Sequence, residues 1–172
     1  FTYTYGFNQD LSGWCVSNIP SYPLNFSGGS GLSAANHPVW GTCPSAINPN
    51  PLGAYVDSVA PGLGCIVCDQ YAAGDTFSLD GGTTWYTAVD KPLLETMRDN
   101  GDDLSKVCVS LVTDMSEIFK NKMSFNQDIG SWDVSNVTDM ANMFYDANSF
   151  NQDIGSWDVS SVTDMAYMFY GA

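Results

Sequence analysis

The feature that most constrains this 172-residue chain is a 25-residue sequence repeat in its C-terminal third. Residues 125–140 and 150–165 differ at a single position, where Asn136 corresponds to Ser161. The string Val-Thr-Asp-Met that ends each copy also occurs at residues 112–115. A fixed period of this length is typical of proteins built from stacked units, because one unit alone cannot bury its apolar face.

Each repeat carries the pattern of one short helix and one short strand. Thr138 is a suitable helix N-cap, and apolar residues then recur at helical spacing from Met140 to Ala147. Trp132 and Val134 alternate with polar residues, as in a half-buried strand. We therefore predict an α/β fold, namely a short right-handed leucine-rich-repeat-like solenoid in which every repeat consists of helix, loop and strand.

The repeat has the pattern Phe-Asn-Gln-Asp-Ile-x-x-Trp-Asp-Val-Ser-x-Val-Thr-Asp-Met-x-x-Met-Phe. This pattern resembles the BspA-type leucine-rich-repeat-like surface proteins over residues 112–172. The preceding residues 86–111 resemble the capping region that often comes before such an array. The resemblance implies an extracellular or envelope-attached protein with a role in adhesion or matrix binding, and it implies no catalytic residues.

The N-terminal residues 7–19 repeat the loop and strand half once more, with Cys15 in place of the Asp. Pro20 then prevents a simple copy of the helix start, because proline has no N–H to donate. The following Pro- and Gly-rich stretch is typical of a cap on an apolar solenoid end. We predict an array end with its C-terminal cap at 1–43, a linker at 44–74, a hairpin and helix capping region at 75–111, and solenoid repeats at 112–172.

The capping region has clear local signals. An Asp-Gly-Gly turn between two β-prone runs predicts a hairpin within residues 75–89. Asp90 is positioned to cap a helix over residues 91–100, and Gly101 is positioned to end it. Residues 107–111 are predicted to form the first strand of the array.

Five cysteines, few lysines and many Gly, Asn and Thr indicate an oxidising, extracellular setting. Cys65 and Cys68 form a C-x-x-C, which could be half of a zinc site or a redox motif. A second such pair and a surrounding βαβ unit are both missing, so structural disulfides are the favoured interpretation. We predict the pairs Cys15–Cys43 and Cys68–Cys108, with Cys65 left over.

The formal charge of −14 excludes a nucleic-acid partner, since a phosphate backbone requires a basic surface. No apolar run is long enough to span a membrane. Stacked repeats would align like acids in columns, where calcium could bind. The favoured alternative is that each Asp caps its own turn, so no cofactor is expected. The columns are Asp128 with Asp153, Asp133 with Asp158, and Asp139 with Asp164.

Catalysis is not expected. His37 is the only histidine, and it precedes Pro38 in a cap-like loop. The chain has no nucleophile elbow, phosphate loop or His-Glu-x-x-His sequence. Asn25 and Asn136 lie in glycosylation acceptor triplets, and both are candidates for modification.

The chain begins with the second half of a repeat and finishes with the first half of another. This complementarity predicts a subunit of an extracellular fibre or surface array that assembles head-to-tail by completing a split repeat between copies. The alternative is an adhesive binding module, and the expected partners are other copies of the chain and glycans. The predicted assembly residues are Phe1, Tyr3, Tyr5, Phe7, Leu11, Trp14, Met165, Met168, Phe169 and Tyr170.

Overall fold

A computed structural model describes residues 6–42 and 65–172. The predicted hairpin and helix of the capping region are confirmed. The first two strands pair antiparallel and the second pairs parallel with the third, which gives a three-stranded mixed sheet in the order β1-β2-β3. The elements are β1 (Thr76–Ser78), β2 (Trp85–Ala88), α1 (Lys91–Asn100) and β3 (Val107–Cys108).

Helix α1 begins and ends where its capping residues predict. The Asp90 carboxylate accepts the Leu93 N–H at 3.0 Å, which satisfies one of the free donors of the first turn. Gly101 follows the last turn with a φ of 78°, a left-handed conformation that glycine adopts without steric cost. Leu94 anchors the helix in the core. Within residues 6–42 and 65–172, no helix is long and apolar enough to cross a membrane.

The predicted α/β solenoid is wrong. Residues 112–172 contain no α-helix and no strand; they form successive turns, with isolated parallel bridges that join Asp114 to Asp139 and Asp139 to Asp164. The physical reason is that the backbone turns left-handed at two positions of each repeat, which a continuing α-helix does not permit. These positions are Glu117 and Asn121, Asn142 and Asp146, and Tyr167 and Gly171, with φ values of 63°, 60°, 56°, 53°, 57° and 71°.

Backbone N–H groups of each turn segment donate to carbonyls of the corresponding segment in the next repeat. The Phe119 N–H donates to the Met143 carbonyl at 2.8 Å, and the Phe144 N–H donates to the Met168 carbonyl at 2.8 Å. In an α-helix these N–H groups would instead bond to the carbonyl four residues earlier. Each segment therefore satisfies its buried backbone through its neighbour.

The apolar residues predicted to face inward are buried, although no helix or strand places them there. Their rings form continuous rows across the repeats: Phe119 lies 5.3 Å from Phe144, and Phe144 lies 5.4 Å from Phe169, with nearly parallel planes. Such aromatic contacts add to the free energy gained by burial. The fully or almost fully buried side chains of one repeat are Ile129, Trp132, Val134, Val137, Met140, Met143, Phe144 and Ala147.

The predicted linker at 44–74 lies only partly within the described residues. Its residues 44–64 lie outside them. Ile66 and Cys68, by contrast, are buried in a second small core with Phe77. The Ile66 N–H donates to the Ser131 carbonyl at 3.1 Å, so this end of the predicted linker packs against the first repeat.

Candidate functional site: the closing interface

The N-terminal segment, residues 6–42, packs against residues 162–172, the last repeat segment of the same chain. We call this contact the closing interface. The structure brings together most of the residues predicted for assembly, but it does so within one chain. Phe7, Leu11, Trp14, Met165, Met168 and Phe169 are all 0% exposed, and Tyr170 is half-buried. Phe1, Tyr3 and Tyr5 lie outside the described residues.

The ring contacts at the closing interface match those inside the array. The centroid of Phe7 lies 4.1 Å from that of Phe169, and the equivalent internal pair, Phe144 and Phe150, lies at 4.0 Å. Phe7 lies 5.7 Å from Phe150, and Phe125 lies 5.8 Å from Phe150 on its other side. Phe7 therefore continues the phenylalanine row of the repeats.

The hydrogen bonds match as well. The Trp14 indole N–H donates to the Ile154 carbonyl at 3.2 Å, and the Trp157 indole donates to the Ile129 carbonyl at the same distance. The turns also continue the backbone ladder, because Tyr167, Phe169 and Gly171 donate their N–H groups to Leu24, Phe26 and Gly28 at 2.8, 2.7 and 2.9 Å. Residues 7–18 thus complete the third repeat, and the residues after them supply the turns of a fourth.

The fourth set of turns departs from the others at its start. Thr138 and Thr163 donate their N–H groups to the Thr carbonyls 25 residues before them, at 2.8 Å each. Pro20 stands at the next equivalent position and has no N–H for the Thr163 carbonyl. One additional residue between Ile19 and Phe26 then brings the chain back into register.

Residues 33–42 form hydrogen bonds with residues 8–16, the segment that completes the third repeat. The Asn8 amide oxygen accepts the Ser33 N–H at 2.8 Å and the Asn36 side chain at 3.0 Å. The Val16 N–H donates to the Thr42 carbonyl at 2.9 Å. Residues 33–42 therefore satisfy part of the backbone that residues 8–16 would offer to a further repeat.

The predicted disulfide Cys68–Cys108 is present, with a Cα–Cα distance of 6.2 Å. Cys15 is also disulfide-bonded, while its predicted partner, Cys43, lies outside the described residues. Cys65 is a free thiol, as predicted, and burial raises its pKa, with smaller contributions from Asp133 and Asp158. A raised pKa lowers the thiolate fraction and hence the reactivity of this thiol.

The Asp columns have local roles. The carboxylates of Asp128, Asp133 and Asp139 each accept the N–H two residues later, at 3.0, 3.1 and 2.8 Å. Asp153, Asp158 and Asp164 do the same in the next repeat. No group of three or more metal-binding side chains occurs in the described ranges. These bonds are those expected if each Asp caps its own turn.

His37 belongs to a cluster that the sequence did not reveal. Its Nε2 lies 3.0 Å from the Ser27 hydroxyl, which in turn lies 2.9 Å from the Tyr22 hydroxyl. Its ring packs on those of Tyr22 and Phe26. Burial lowers the pKa of His37, so the neutral form is favoured. Among the described residues no carboxylate forms a hydrogen bond with this imidazole. The cluster instead joins His37 to the segment of residues 22–27.

The two glycosylation candidates differ in the state of the acceptor nitrogen. Asn25 is exposed, and its side chain makes no hydrogen bond with the described residues. Asn136 is also exposed, but its Nδ2 donates to the Ser110 carbonyl at 3.0 Å. Modification at Asn136 would interrupt a contact between repeats, so Asn25 is the more accessible of the two.

Comparison with known proteins finds one similarity, which covers just under half of the chain. Residues 91–172 match a protein-family model described as Mycoplasma protein of unknown function, DUF285. No curated protein and no solved structure matches the chain. The match begins at helix α1 and runs through all three Val-Thr-Asp-Met segments. The chain is thus similar in this region to a family whose description names no function.

Proposed function

We propose that this chain is a self-contained, non-catalytic binding module of an extracellular or cell-surface protein. The observation that carries the proposal is the closing interface. A stack of repeats with a bare apolar end is prone to associate with other copies. Here the N-terminal segment covers that end, and Met165, Met168 and Phe169 are 0% exposed. The apolar face of the last repeat is therefore not open to another copy.

Charge and cysteine chemistry support the same proposal. A net charge of −14 makes copies of the chain repel one another, which favours a monomer at moderate ionic strength. The Cys68–Cys108 disulfide and the bonded state of Cys15 suit an oxidising compartment. The free Asn25 acceptor is compatible with such a compartment too.

The proposal predicts a monomer that binds an extracellular target. We would measure the mass of the full chain by light scattering over a hundredfold range of protein concentration. We would then measure binding of the labelled chain to immobilised mucin and to immobilised fibronectin, with reduced and alkylated chain as the unfolded control. The proposal is supported if the native monomer binds and the reduced, alkylated chain does not. A lack of binding to both surfaces contradicts it.

A second candidate function is the head-to-tail structural subunit, and one observation favours it. The contacts of the closing interface have the distances of internal contacts, so the N-terminal segment of another copy would fit equally well. Exchange of an identical segment is a known route to dimers, and a head-to-tail contact that does not close generates filaments. In this case the mass would rise with concentration, and electron microscopy would show filaments. A constant monomeric mass contradicts this candidate.

A further inference from the structure

A groove lies between the C-terminal end of helix α1 and the first repeat, at the Phe125 end of the phenylalanine row. It is an open depression of about 640 Å³, and its walls include Arg98, Gly101 and Asn121. A smaller hollow of about 410 Å³ shares Gly101 and Gln127 with it and extends it. Both depressions are open to solvent rather than enclosed.

Phe125 is the aromatic residue that lines the groove. This residue is the first of the phenylalanine row, and it packs on Phe119 at 3.9 Å and on Phe150 at 5.8 Å. Its equivalents Phe150 and Phe7 are 0% exposed because a further repeat covers each of them. Phe125 is only partly buried. The row therefore presents a partly accessible aromatic ring at this end.

Unpaired polar groups surround this ring. The Asn121 amide, the Ser124 hydroxyl and the Asn126 Nδ2 make no hydrogen bond with any described residue. The Asn126 Oδ1, in contrast, accepts the Asn151 N–H at 3.0 Å, and this bond fixes the orientation of the amide. An amide offers both donors and an acceptor, and a hydroxyl offers one donor and two lone pairs. The groove thus combines an aromatic ring with neutral groups that can donate and accept.

The groove carries no free positive charge, although two of the five basic residues line it. The Lys122 ammonium lies 2.8 Å from the Asp99 carboxylate, and the Arg98 Nε lies 2.8 Å from the same carboxylate. Hydrogen bonds from Arg98 and then Lys122 hold the pKa of Asp99 well below its usual range. Arg98 also donates to the Ile118 carbonyl. With its cations paired and a net charge of −14, the chain disfavours an anionic ligand.

We propose that this groove binds a neutral saccharide, with one pyranose ring stacked on Phe125. A pyranose ring has an apolar face of C–H bonds and a rim of hydroxyls. The negative face of the aromatic ring attracts the C–H face. Asn121, Ser124 and Asn126 then bond the hydroxyls, each of which needs a donor and an acceptor. This inference rests on the proposed function and assigns the module a ligand class.

The test uses the full chain and three neutral probes, namely maltotriose, cellotriose and triacetylchitotriose. We expect at least one of them to bind in saturation-transfer NMR, and to shift the backbone resonances of residues 121–127. Phe125→Leu should weaken binding at least tenfold, while Phe125→Trp should retain it. The matched control is Trp85→Leu, because Trp85 is 56% exposed on the hairpin and lies outside the groove; this variant should bind as the wild type does.

Three outcomes would overturn the inference: none of the probes binds, the shifted resonances lie outside the groove, or Phe125→Leu binds unchanged. The unfolding midpoint of Phe125→Leu checks that the variant is folded. If the variant does not fold, the positions of the shifted resonances in the wild type still test the proposed site. If wild type and Phe125→Leu bind mucin equally well, the saccharide site at Phe125 is refuted, while the proposal of a binding module is still supported. If neither binds mucin or fibronectin, the proposed function fails as well.

Discussion

Phe7→Ala tests whether the N-terminal segment is part of the folded core. Phe7 is 0% exposed and stacks on both Phe150 and Phe169. Removal of a fully buried phenylalanine ring costs about 3–5 kcal/mol through lost burial and the cavity that remains. A domain of this size has a free energy of unfolding of roughly 5–15 kcal/mol, so the variant should lose a large fraction of it. Phe125→Ala, at the equivalent but only partly buried position, should cost less.

The assay is urea unfolding of the oxidised chain, followed by tryptophan fluorescence at two protein concentrations. Trp14, Trp132 and Trp157 are buried, so the signal reports on the N-terminal segment and on the repeats. A segment that docks within its own chain gives a wild-type midpoint that does not depend on concentration. A cost below about 1 kcal/mol for Phe7→Ala, or a midpoint that rises with concentration, would refute docking within one chain.

Three further predictions concern backbone conformation and pH. Glu117→Gly should raise the free energy of unfolding by about 1 kcal/mol, because a left-handed non-glycine residue is strained by ~1–2 kcal/mol. The exposed ion pair with Lys120 that is lost contributes little. Thermal unfolding checks this, and Asn142→Gly should gain less because Asn tolerates the left-handed conformation. Gly171→Ala should destabilise by more than about 1 kcal/mol in the same assay, since φ is 71° and a Cβ would lie 2.1 Å from the Asp146 Oδ1. Because burial lowers the pKa of His37 below its usual 6.5, the unfolded chain binds this proton more readily, so stability is complete above that pH and falls as the pH decreases through the folded pKa. Urea midpoints across this range should depend less on pH in His37→Gln, and NMR titration of the only histidine should give a pKa below 6.5.

The sequence was sufficient to predict the features that depend on local chemistry. Asp90 and Gly101 defined the ends of helix α1, and the Asp-Gly-Gly turn located the hairpin. The buried residues of the repeats were also predicted correctly. Stacking buries the same position of every repeat, whether the backbone between these positions is helical or turned. The Cys68–Cys108 pair was predicted and is present, although the sequence alone allowed other pairings.

The conformation of the repeats could not be predicted in the same way. Apolar residues at Met140, Met143 and Phe144 have helical spacing, but consecutive tight turns present the same positions inward. The distinguishing feature is the left-handed backbone at Asn142 and Asp146, and neither Glu117 nor Tyr167 signals it at the equivalent positions. The hydrogen bonds that replace a helix lie between repeats, where local propensity has no influence.

The candidate site was only half predictable. The match between the two ends of the chain was visible as a sequence pattern, but the pattern does not state whether the partner is the same chain or another. The groove at Phe125 was not predicted at all. Phe125 and Phe150 have identical neighbours in sequence from residue 124 to 135 and from 149 to 160, so only their positions in the stack separate a partly buried ring from a fully buried one.

The closing interface also determines how the molecule can be made. The hydrogen bond from Trp14 to Ile154 spans 140 residues, and that from Gln9 to Asn151 spans 142. Contacts between such distant parts of a chain form slowly, because the intervening loop must be ordered first. During synthesis the N-terminal segment must therefore wait until residues 151–172 have been made. Until then Phe7 and Trp14 stay exposed in the nascent chain, and this interval is when the protein is most vulnerable to aggregation.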